Sequence, residues 1–301
     1  MRSRGLHFPI RRTLRKDAVK KGEKLLTIII KDDNIIIYDN ITTTENDKRT
    51  TRMIQAANRT KCPDTMKTIM ILSLRCLLFV FSFLSLAIVF DQSLAEIGKW
   101  WSVVCSVGNL LTLIALYRLN KAEHLTYRQM MRYPKKATGW KAIALGIVVV
   151  VVLGMAGMFL AGYLTYGVFP YLAKDLIAPI PIWLAWTNVL ILPLSTTLAE
   201  DGLYLGIGVN RLTDKRAGVL VPAFFYALQH SFIPLYFDLS YMLYRFLSFL
   251  PLTILLCLWY QKKHNPVPIM VGHFVINLAT AVQILIMSSR PELYATMAIF
   301  L

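Results

Sequence analysis

Leu198-Ala199-Glu200-Asp201-Gly202-Leu203-Tyr204-Leu205-Gly206-Ile207-Gly208-Val209 sets two adjacent carboxylates inside an apolar run. A helix ending at Ala199 would leave both acids in water. The apolar pattern instead resumes through Val209, and the next base is Arg211. If the helix continues, Glu200 lies roughly 16 Å in from Arg211, at about 1.5 Å per residue. At that depth in a bilayer an ionised group is costly unless it is paired or faces a polar cavity. Tyr204, four residues on, shares the Glu200 face. The stretch therefore predicts a membrane-spanning helix that carries a functional carboxylate.

Three more polar groups fall inside apolar segments. His230 closes Phe224-Phe225-Tyr226-Ala227-Leu228-Gln229-His230, and Tyr226 sits one turn below it. His273 and Asn277 lie four apart in Gly272-His273-Phe274-Val275-Ile276-Asn277, so they share a helix face. Each alone reads as polar glue between helices. Measured from the basic linkers, however, Glu200, His230, His273 and Asn277 all fall in one slab, about 10–20 Å deep. Glue residues acting independently have no reason to share a depth. The four are expected to converge on one site.

Composition supports a membrane protein. Hydrophobic residues make up 56% of the 301, yet the formal net charge is +16. Such a surplus can signal nucleic-acid binding, but its placement excludes that reading. Residues 1–67 hold 16 Lys/Arg against 8 Asp/Glu, and linker 118–141 holds 7 Lys/Arg against one acid, Glu123. The charge flanks hydrophobic runs, where it orients a polytopic chain.

Seven spans are predicted, near 68–90, 100–117, 142–166, 182–208, 217–237, 240–260 and 266–288. Linkers 118–141, 209–216 and 261–265 are basic, and the alternate linkers are not. The positive-inside rule then gives a cytoplasmic N-terminus and an external C-terminus. Arg75, one to two turns into the first span, is expected to snorkel to the headgroups. Cys62, Cys76, Cys105 and Cys257 show no metal-type spacing, and no structural disulfide is expected.

The expected fold is an all-α polytopic membrane helical bundle of about seven transmembrane helices, with a short basic N-terminal extension. Residues 1–65 form that cytoplasmic extension, poorly ordered or a small hairpin around Lys31-Asp32-Asp33-Asn34. Residues 66–141 supply two helices and a basic loop, residues 142–290 the catalytic core, and residues 291–301 a tail.

The order of an acidic pair, an aromatic residue four before a histidine, and His-x-x-x-Asn resembles the CPBP family. That family comprises intramembrane CAAX prenyl endopeptidases and bacteriocin-processing or immunity (Abi) proteins. Its pattern is Glu-Glu-x-x-x-Arg, Phe-x-x-x-His and His-x-x-x-Asn. The counterparts here are Glu200-Asp201 with Leu205 in the Arg position, Tyr226 with His230, and His273 with Asn277. The resemblance covers roughly residues 140–290. Asp replaces the second Glu, Tyr replaces Phe, and Leu replaces Arg.

The resemblance implies an intramembrane endopeptidase in a cell membrane, expected to be bacterial. Its substrate would be a membrane-held peptide or protein, prenylated or of bacteriocin type, with the lipid bilayer as the other partner and no nucleic acid. Glu200 would activate water, and burial suits a carboxylate to taking and returning a proton. His230 would position that water, and His273 with Asn277 would donate to the oxyanion. Asp201, Tyr204 and Tyr226 are assigned to substrate binding. Asp201→Asn is expected to matter little, because its side chain points about 100° around an α-helix from Glu200. The metal alternative puts Zn²⁺ on His230 and His273, with Glu200 or Asn277 completing the site. Two other readings stand beside the enzyme. A non-catalytic immunity or scaffold protein on the same fold is favoured by the lost Arg. A bis-His haem protein would use His230 and His273 but leave Glu200 and Asn277 without a purpose.

Overall fold

The computed structural model describes residues 26–31, 34–39, 65–171 and 173–297. It divides into two units, residues 1–61 and 62–301. In the first, β1 (Leu26–Lys31) pairs antiparallel with β2 (Asn34–Asp39), in register from Leu26↔Asp39 to Lys31↔Asn34. Isoleucine runs suit paired strands. The ladder runs up to the Lys31↔Asn34 pair, with two residues between them, so it brackets the stretch Lys31-Asp32-Asp33-Asn34 where the turn was expected. The rest of the basic extension, where poor order was expected, lies outside the described residues.

The second unit is a helical bundle. Among the described residues, six of its helices are long and apolar enough to cross a membrane. They are α1 (Thr65–Phe90), α2 (Trp101–Ala122), α3 (Trp140–Tyr166), α4 (Ile182–Thr196, continued as a π-helix over Thr197–Val209), α6 (Leu239–Lys263) and α7 (Val267–Ser289). Apolar residues cover the outward faces, as lipid requires: Phe81, Ile88, Val148, Leu160, Leu190 and Leu194 are all exposed.

The segment expected as a further full span, 217–237, is different. It is α5 (Ala217–Leu228), closed by a 3₁₀ turn at Gln229–Ser231. Twelve residues rise only about 18 Å. Pro234 lacks an N–H and biases the residue before it away from helix, so the helix cannot resume there. The segment still runs antiparallel along α6. Gln261 Nε2 donates to the Lys215 carbonyl at the basic end (2.9 Å), and Ser231 Oγ donates to the Met242 carbonyl at the other (2.8 Å). The irregular backbone is not left to lipid, since Ile233 and Leu235 are buried. Non-helical backbone at membrane depth is tolerated only where protein or a polar cavity surrounds it. The break thus places a helix end, His230 and irregular chain together inside the bundle.

Close packing of α3 on α7 brings the last long helix in. A Cβ on Gly146 would strike the Pro268 carbonyl, and one on Gly272 would meet the Gly146 carbonyl. Small residues permit this backbone approach, which replaces the hydrophobic drive that lipid cannot supply. The result seats the His273 face of α7 against α3, α4 and the π-helix.

Candidate active site

The acidic pair sits on the π-helix, whose i→i+5 winding is rare and frequently marks functional sites. Its width is supported from outside. Tyr127 Oη donates to the Leu198 carbonyl (2.7 Å), and Asn210 Nδ2 donates to the carbonyls of Gly206 (3.1 Å) and Met130 (2.9 Å). Burial pushes the Tyr127 phenol up, so it stays a donor. Tyr127 also packs on Gly202, where a Cβ would come within 3.0 Å of the ring.

In this winding both carboxylates face inward. Glu200 is 2% exposed and Asp201 0%. One oxygen of Glu200 meets Arg75 of α1, with Nη2 to Oε1 at 2.9 Å. Arg75 is itself 2% exposed, so it does not snorkel as expected. Its guanidinium fork is filled by polar neighbours. Nε donates to Gln229 Oε1 (2.5 Å), Nη1 to Thr112 Oγ1 (2.6 Å), and Nη2 also to Asn109 Oδ1 (2.5 Å). Asn109 in turn donates to Thr196 Oγ1 (2.8 Å). The planar fork suits several fixed acceptors at once. The cation missing at Leu205 is thus supplied to Glu200 from another helix. Leu205 is buried in the apolar core together with Leu72, one turn from Arg75.

The other Glu200 oxygen, Oε2, has no hydrogen-bond partner and lies 3.8 Å from His273 Nε2. Behind His273 stand Asp201 and Tyr226. Tyr226 Oη donates to Asp201 Oδ1 (2.9 Å), and His273 Nδ1 lies 3.1 Å from Tyr226 Oη and 3.4 Å from Asp201 Oδ2. Both neighbours suit a proton on Nδ1, which turns Nε2 toward Glu200. His230 Nδ1 donates to the Tyr226 carbonyl (2.9 Å), leaving its Nε2 as the acceptor, and its ring stacks on Phe249 at 3.6 Å. Asn277 Nδ2 donates to the His273 carbonyl (2.9 Å), with one N–H to spare.

A cavity of about 340 Å³ brings these groups together. Glu200, His230, His273, Asn277 and Tyr226 line it, and most of the remaining wall is apolar. Asp201 and Tyr204, expected to bind substrate, stand behind the wall. Tyr204 stacks on Tyr226 at 4.5 Å and donates to Gln229 Oε1 (3.2 Å). Nor does Asp201 point idly away, because the π winding aims it at His273. Asp201→Asn should therefore lower turnover about a hundredfold, as when a histidine loses the carboxylate that fixes its tautomer. Steady-state kinetics on the folded variant test this, with the Michaelis constant expected to stay near wild type.

Sequence reasoning missed Arg75, Asn109, Thr112 and Gln229. One signal was present: Ser102, Ser106, Asn109 and Thr112 recur at helical spacing along α2, a polar stripe in an apolar span. Among the described residues no three His, Cys, Asp or Glu side chains converge as metal ligands do, and one Glu200 oxygen is committed to Arg75.

Residues 181–279 match the family model for type II CAAX prenyl endopeptidase, Rce1-like. The Rce1-like stretch contains Glu200, Asp201, Leu205, Tyr226, His230, His273 and Asn277, so the resemblance drawn from those motifs stands. With six long apolar helices among the described residues, it supports an integral membrane protein that is similar, over residues 181–279, to the CAAX prenyl endopeptidases. Neither a curated protein nor a solved structure matches the chain.

Proposed function

We propose that the protein is an intramembrane endopeptidase that hydrolyses a membrane-held polypeptide, with Glu200 as general base. One observation carries this reading. Glu200 is a buried carboxylate with one oxygen fixed by Arg75 and the other unpartnered, at the wall of the cavity shared by His230, His273 and Asn277. A base must be fixed in place yet keep one lone pair for the water it activates.

Water at Oε2 gives one proton to Glu200 as its oxygen attacks the scissile carbonyl. Its second hydrogen rests on His230 Nε2. The carbonyl oxygen becomes an oxyanion that accepts from the spare Asn277 N–H. The His273 ring, held by Asp201 and Tyr226, shapes the wall beside Glu200. Glu200 then passes its proton to the leaving amine, the C–N bond breaks, and the carboxylate is restored. Apolar walls hold the peptide and exclude bulk water. The Rce1-like match supports a lipid-modified peptide as the substrate class.

The test is a cleavage assay of the purified full chain in lipid nanodiscs, against lipid-anchored fluorogenic peptides, with and without a chelator. Cleavage unchanged by the chelator is expected. Activity lost to the chelator and restored by zinc would overturn the metal-free scheme. Absence of cleavage across the peptide set would overturn the enzyme reading in favour of a non-catalytic role.

A further inference from the structure

A second buried cation, this one in the wall of the cavity itself, has no task in the scheme above. Arg245 lies six residues into α6, roughly 9 Å from the end opposite the basic linkers. It is only 4% exposed. Its Nη2 donates to the Ile233 carbonyl (3.2 Å), and its Nε has no partner. Among the described residues it makes no ion pair, whereas Arg75 and Arg211 each pair with an acid. Its guanidinium lies over the Phe249 ring at 5.1 Å, and Phe249 stacks on His230. One aromatic layer therefore separates this cation from the catalytic cluster.

A buried guanidinium without a counter-ion is expensive, and inside a membrane it marks a site whose partner is to be sought. The bond to Ile233 helps fix the broken segment after α5, but it uses one of five donors. Among the described residues, the only carboxylate in the cavity lining is that of Glu200, which is paired with Arg75. The missing partner must come in with a ligand.

We propose that Arg245 is an anion subsite that binds a carboxylate of the peptide substrate on one side of the scissile bond. This rests on the endopeptidase reading and adds to it a substrate class: apolar peptides carrying one carboxylate within reach of His230. A single planar fork matches a carboxylate, whereas a phosphate dianion calls for more than one cation. The carboxylate is either the chain terminus or an Asp or Glu side chain. The geometry is common to both.

The test uses binding, so it stands apart from turnover. Full-length protein carrying Glu200→Gln in nanodiscs is titrated with an apolar hexapeptide in four forms: free acid, C-terminal amide, amide with an internal Glu, and amide with Gln at that place. Trp101, which lines the cavity, reports by fluorescence. At least one carboxylate form should bind about tenfold tighter than its carboxamide partner, the worth of a charged hydrogen bond. Which form does so identifies the source. Arg245→Gln keeps a donor for Ile233 but no charge, and should abolish the preference. Arg245→Lys should retain it. Equal binding of acid and amide forms, no binding of any form, or a preference that survives Arg245→Gln would each overturn the proposal. Wild-type protein that binds with this preference yet cleaves none of the peptides would sink the endopeptidase reading alone.

Discussion

Arg75→Met should destabilise the folded protein by about 3–5 kcal/mol, the usual cost of stranding one member of a buried ion pair. The reason is local. Arg75 serves four acceptors from three other elements: Glu200 on the π-helix, Asn109 and Thr112 on α2, and Gln229 in the 3₁₀ turn. Methionine fills the space and satisfies none of them. Arg75→Lys should recover little, because an ammonium has three donors and no fork. Adding Glu200→Gln to Arg75→Met removes the stranded charge, so the double variant should regain much of the lost stability while remaining inactive. Equilibrium unfolding in detergent, with the four proteins side by side, measures this. Wild-type stability in Arg75→Met would mean that the pair does not form. The same variant bears on Leu205. A cation for the first acid is one helix away rather than one turn away, so Glu200 has a basic partner despite the leucine at 205.

The bundle was legible because its signals are strong and local. Long apolar runs between basic linkers named the six long helices closely, and the motif residues named the cavity wall. The departures come from what periodicity cannot carry. Residues 217–237 are apolar throughout, so hydropathy read a full span. The break follows instead from Pro234 and from the packing of irregular chain against α6. Asp201 was assigned to substrate binding, and Asp201→Asn was expected to matter little, because α-helical rotation was assumed. The π winding, held by Tyr127 and Asn210 from other parts of the chain, turned it inward. Arg75 was read as snorkelling because it lies near a span end. Whether a long side chain reaches out or in depends on acceptors, and those sit on α2 and in the 3₁₀ turn, far away in sequence.

Glu200→Gln should leave a folded, membrane-inserted protein and slow hydrolysis by about 10²–10⁴-fold, the range for removing a general base. The amide keeps the volume and still offers an oxygen to Arg75, whose other acceptors are unchanged. It cannot take a proton from water, so the loss should fall on the chemical step and spare binding. Asn277→Ala, by contrast, removes one oxyanion donor and should retain measurable turnover. The decisive measurement is the single-turnover cleavage rate of Glu200→Gln, at saturating enzyme, on a peptide that the wild type cuts, with unfolding and peptide affinity measured on the same preparation. The account predicts wild-type affinity, a folded protein and a rate lower by those orders of magnitude. A folded variant that cleaves at the wild-type rate would contradict it.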